Sequence, residues 1–138
     1  FRAGDLAEQD GAKLHLLHVY QSVIFSDPMY GLAAPSSAAS INVIAIEQLE
    51  KRLKKLAERI AERHPKIGIT SSLSAYMSMN YGIQEQLEEA NADLVVLGTR
   101  GRTGIKILLL GTTAERLIHD SPCSVYTVKP DDFSYEVE

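Results

Sequence analysis

The chain has 138 residues, 45% of them hydrophobic and 23% charged, which suits one soluble globular domain with a real core. Its 14 basic residues against 18 acidic ones leave a net charge of -4, which argues against nucleic acid as a partner. No apolar run approaches the roughly 20 residues of a bilayer span, no signal-peptide pattern is present, and the single Cys123 excludes an internal disulfide, so a cytoplasmic protein without a membrane partner is expected.

The chain opens on a helical pattern, with Phe1, Ala3, Leu6 and Ala7 at helical spacing and Gly11 as the stop. Phe1 already reads as helix interior, so residues are expected ahead of it. Lys13 to Tyr20 is short, apolar and nearly continuous, as a buried parallel strand is. Residues 21–40 carry Asp27-Pro28, Gly31, Pro35-Ser36-Ser37 and Ser40 and read as a long loop. From Ile41 to His64 the pattern predicts one long helix, with Ile46, Leu49, Leu53, Leu56 and Ile60 as its apolar stripe. Its Lys, Arg and Glu residues read as a solvated face, and Pro65 ends it.

Ile67 to Tyr76 alternates in character and reads as a strand at a sheet edge. Asn80-Tyr81-Gly82 reads as a turn, and Ile83 to Ala90 as a short helix with Ile83, Leu87 and Ala90 inward. Asp93 to Leu97 is the next buried strand. After a glycine-rich loop come a helix from Thr112 to His119 and a last strand from Ser124 to Lys129. Residues 1–130 then form one domain, and 131–138 a polar tail. Strict α-β alternation implies a parallel sheet with helices on both faces.

The chemistry concentrates at Gly98-Thr99-Arg100-Gly101-Arg102-Thr103-Gly104 and Gly111-Thr112-Thr113. A strand, a glycine-rich loop and hydroxyl residues at a helix start together build a phosphate cradle. Glycine lets the backbone approach the anion, and free N–H groups at the helix N-terminus point at it. Arg100, Arg102 and Lys106 add positive charge. A Walker A loop is excluded, because no Gly-Lys-Ser/Thr closes the segment, and the GxGxxG fingerprint fails. A glycine-rich connector without a ligand is the competing reading of the same residues.

The spacing Gly98-x2-Gly101-x9-Gly111-Thr112, with Ala92 to Leu97 before it and Ser121-Pro122-Cys123-Ser124-Val125 after it, resembles the universal stress protein family. Gly11-Ala12-Lys13-Leu14 with His18-Val19 is similar to that family's second strand, and Gly82 and Lys129-Pro130-Asp131-Asp132-Phe133 also fit. The resemblance implies the branch that binds ATP through G-x2-G-x9-G-S/T. It implies an open, parallel five-stranded sheet in the order 3-2-1-4-5 in an adenine-nucleotide-binding, α-hydrolase-like architecture, and a homodimer through the strand Ser124 to Lys129. It assigns phosphate and ribose contacts to Gly98, Arg100, Gly101, Gly111, Thr112 and Thr113, and an adenine contact to Val19. The family's first strand has no counterpart in this sequence.

The function expected from this resemblance is an ATP-dependent regulatory switch in the stress response, with AMP or ADP as related ligands and Mg²⁺ accompanying a triphosphate. At most a weak ATPase is expected, since no catalytic base stands out. A ligand-independent dimeric scaffold is the alternative function, and an adenylating enzyme a more distant one. No catalytic residue and no metal ligand is assigned. His15 and His18, three apart on a strand, face opposite sides and read as hydrogen-bonded histidines in or near the core. His119 suits the negative end of its helix, Cys123 reads as a packing thiol, and Met77 and Met79 as packing at a strand end.

Overall fold

The structure, a computed structural model, describes residues 1–21, 36–99 and 110–129. It divides into two compact units, Phe1–Met77 and Ser78–Glu138. Each unit runs helix, strand, helix, strand, and each pairs its two strands in parallel.

The first unit holds α1 (Arg2–Asp10), β1 (Leu14–Gln21), α2 (Ser36–Arg63) and β2 (Ile69–Tyr76). Gly11 ends α1 in the left-handed region at φ 63°, where a side chain would be strained, and Ala12 N–H closes back on the Ala7 carbonyl at 2.8 Å. β1 and β2 pair in register from Leu14↔Ile69 to Gln21↔Tyr76. Parallel strands need a long crossover, which α2 supplies with 28 residues. It starts earlier than the expected Ile41. Serines suggested a break there, but Ser36-Ser37-Ala38-Ala39 includes alanine, the strongest helix former, and the backbone is helical throughout. Ile60 is buried, while Leu56, expected in the apolar stripe, is exposed and Ala57 is half-buried in its place.

The second unit holds α3 (Met79–Glu89), β3 (Leu94–Gly98), α4 (Thr112–Asp120) and β4 (Ser124–Val128). The turn expected at Asn80-Tyr81-Gly82 lies inside α3, because the helix begins after Ser78. Gly82 is buried there. Leu87, Ala114 and Leu117 are the buried apolar residues of α3 and α4, and Ala90, expected inward, is exposed. β3 and β4 pair from Leu94↔Ser124 to Gly98↔Val128.

The expected single five-stranded sheet in the order 3-2-1-4-5, helices on both faces, does not form. The described residues make four strands in two separate two-stranded sheets, β1-β2 and β3-β4. A sheet is continuous only where each strand has a hydrogen-bonded neighbour, and among the described residues no ladder joins β1 to β3. The local pairings were legible in the alternation of elements, whereas the joining of the two pairs was not.

Candidate phosphate site at the start of α4

The two arms of the glycine motif meet in the second unit. β3 ends at Gly98, and Thr99 follows with only 4% of its surface exposed. The Thr99 N–H donates to the Val128 carbonyl at 3.0 Å, extending the β3–β4 ladder one step past its last paired residues. The Thr99 carbonyl accepts from the Gly111 N–H at 2.7 Å. One residue therefore ties the end of β4 and the entry to α4 to the end of β3.

Gly111 is the N-cap of α4, at φ -73° and ψ 151°, and its carbonyl accepts the first bond of the helix from Glu115 N–H at 2.9 Å. A helix start leaves the N–H groups of its cap and first three residues without intrahelical acceptors. Thr99 takes the Gly111 N–H; those of Thr112, Thr113 and Ala114 have no acceptor within the helix, and the cap residue, a glycine, has no side chain to offer them. The positive end of the helix dipole adds to the same spot, with Glu115 in the first turn as its nearest sequence complement. This arrangement can accept an anion with three oxygen atoms. The Gly111 backbone lies in a conformation open to any residue, so its dihedral angles do not require a glycine.

Of the residues assigned from sequence, Gly98, Gly111, Thr112 and Thr113 fall at this junction, Thr112 exposed and Thr113 half-buried. Arg100 and Gly101 lie outside the described residues, as do Arg102, Lys106 and the tail 131–138. Val19 belongs to the first unit, in β1, paired with Ser74 and only 6% exposed. Thr99 escaped the sequence reading. A β-branched residue directly after the strand glycine was the available signal.

His64 also escaped it. It follows α2, is 3% exposed, and its Nδ1 donates to Glu8 Oε2 of α1 at 2.7 Å. Its Nε2 lies 3.4 Å from Asp5 Oδ1, an ion-pair distance without hydrogen-bond alignment. The two ring nitrogens face different carboxylates, so the three side chains do not converge on one point, and among the described residues no cluster suits a metal ion. The cluster fastens α1 to α2. His15, expected in or near the core, is instead exposed, with its ring nitrogens bonded to Thr70 Oγ1 at 2.7 Å and Ser72 Oγ at 2.8 Å across the β1–β2 pair. Met77, expected to pack at a strand end, is 82% exposed. Cys123 is a free, half-buried thiol, 3.6 Å from Ser121 Oγ. No helix among the described residues is long and apolar enough to cross a membrane.

The model of the universal stress protein family matches residues 1–129. A universal stress protein of Methanocaldococcus jannaschii is 33% identical over 125 residues, 91% of this chain and 69% of that protein. Universal stress protein A homolog 2 of Coxiella burnetii is 28% identical over 132 residues, 93% of this chain and 82% of its own length. Among solved structures, the universal stress protein UspA of Lactobacillus plantarum is similar in fold, with a TM-score of 0.75 and 19% identity over 92% of this chain and 84% of that one. The chain belongs to the universal stress protein family.

Proposed function

We propose that this member of the universal stress protein family binds ATP, with its phosphates at the start of α4, and serves the stress response as a nucleotide-dependent switch. The observation that carries the reading is the Gly111 N–H to Thr99 carbonyl bond. It draws the strand end and the helix start of the G-x2-G-x9-G-T motif to one place, beside three N–H groups free of intrahelical acceptors. Gly98, Gly111, Thr112 and Thr113 would hold phosphate and ribose. Arg100 and Gly101 belong to the same motif by sequence, and the base contact of Val19 rests on the family resemblance.

Bound ATP would supply a triphosphate whose charge the protein senses, and Mg²⁺ would accompany it. The residues assigned orient phosphate and neutralise its charge, and none of them is suited to take a proton from water at neutral pH. Hydrolysis is accordingly slow or absent. A cytoplasmic location suits the free Cys123 thiol.

Small molecules released from the purified protein, identified by mass spectrometry, and ATP titration by calorimetry test the reading. ATP or AMP in the released fraction and saturable binding are expected, and Gly101→Val is expected to abolish binding while the circular dichroism spectrum is retained. An affinity unchanged by Gly101→Val would remove the site assignment.

The alternative, a dimeric scaffold that needs no ligand, draws on β4. Among the described residues this strand forms its ladder with β3, and the family resemblance assigns the contact with a second copy to Ser124 to Lys129. Sedimentation with and without ATP separates the two: a switch changes its association with nucleotide, and a constitutive scaffold does not.

A further inference from the structure

We propose that Thr99 is the positioning residue of the phosphate site, setting where the free N–H groups of α4 point by tying the helix entry to the paired ends of β3 and β4. The proposal rests on the phosphate reading above. Thr99 spends both of its backbone groups on this task. Its N–H is held by Val128 at 3.0 Å and its carbonyl holds Gly111 at 2.7 Å. The residue is 4% exposed, so its side chain is packed within the protein.

Three consequences follow from that geometry. Gly111 has no side chain with which to cap or anchor α4, so the bond to Thr99 is the described fixture of the helix entry. An N–H donor is useful to an anion only when aimed within a few tens of degrees, so a loosened entry weakens anion binding without removing any group that touches the anion. The aim is also linked to β4, because the Thr99 N–H is itself held by the last paired residue of that strand. A β-branched side chain narrows the conformations open to the backbone that makes this linkage, whereas glycine at the same position would widen them.

The test compares Thr99→Gly with Thr99→Val in the intact protein. Two readouts are used: calorimetric affinity for inorganic tripolyphosphate and for ATP with Mg²⁺, and hydrogen exchange at the Gly111 amide without ligand. Thr99→Val keeps the branched shape and both backbone bonds, and is expected to bind within about twofold of the wild type. Thr99→Gly is expected to weaken both ligands about tenfold or more and to accelerate Gly111 exchange by a similar factor. Thr99→Gly binding like the wild type would overturn the proposal, and so would fast Gly111 exchange in the wild type. Equal loss in Thr99→Val would overturn it too, by making the hydroxyl a ligand contact. A wild type that binds neither ligand would overturn the phosphate reading itself. That failure is distinct because it precedes any substitution, while the exchange result still reports on the Thr99 linkage.

Discussion

The two units share one plan, helix-strand-helix-strand with a parallel pair, yet the polar groups singled out in each sit in different settings. In Phe1–Met77 the polar groups at the α1–α2 seam are turned toward each other. His64 is buried between Glu8 and Asp5, beneath a glycine whose missing side chain makes the room. In Ser78–Glu138 the start of α4 keeps three N–H groups without intrahelical acceptors, as a helix start does, and its cap residue Gly111 has no side chain. The first arrangement uses its polar atoms for docking one helix on another. The second is where the proposed phosphate reading needs its donors. We read the closed cluster as architecture, and propose the helix start that the glycine motif joins to a strand end as the site.

Substitutions at and around the α1–α2 seam and at His15, away from Val19, should act on stability alone, and their ranking tests the contrast. His64→Ala removes a buried ring and its bond to a carboxylate, and should lower the unfolding free energy by about 2–4 kcal/mol in urea titrations. Next comes Gly4→Ala. A methyl group there would sit 2.7 Å from His64 Cδ2 and 2.9 Å from Nε2, so the ring must shift, at about 1–3 kcal/mol. Gly11→Ala forces a side chain into φ 63° with open space around it, so only the backbone strain of about 1 kcal/mol is expected. The smallest effect belongs to His15→Ala, whose bonds to Thr70 and Ser72 are exposed; a change within about 0.5 kcal/mol is expected. The contrast between the units fails if any of these alters ATP affinity in protein that remains folded.

Much of this was legible along the chain and some was not, for physical reasons. Gly11 as a helix stop, the four strands and the start of α4 at Thr112 came from local signals: φ preference, apolar runs, and hydroxyl residues before a helix. The early start of α2 was missed because serine favours turns and helix starts alike. The start of α3 was missed because Gly82 reads as a turn residue, although here it is buried helix. His64 carried no local mark at all. Its partner Glu8 lies 56 residues earlier, and nothing in a short window links a histidine before Pro65 to a carboxylate on another helix. The division into two sheets was hidden for a related reason: element order fixes which strands are parallel, but continuity depends on which edges meet. At the candidate site the motif spacing was readable, whereas the Thr99 linkage needed the backbone hydrogen bonds.

The most direct test of the account is calorimetric titration of ATP into Gly111→Asp. Aspartate is a better N-cap than glycine and the backbone at 111 accepts it, so the melting temperature should hold or rise slightly. Its carboxylate would occupy the place proposed for phosphate and cap the N–H groups meant to bind it. The account predicts a folded protein whose ATP affinity is at least about a hundredfold weaker, worth roughly 2.7 kcal/mol. A folded Gly111→Asp protein that binds ATP as tightly as the wild type would contradict it.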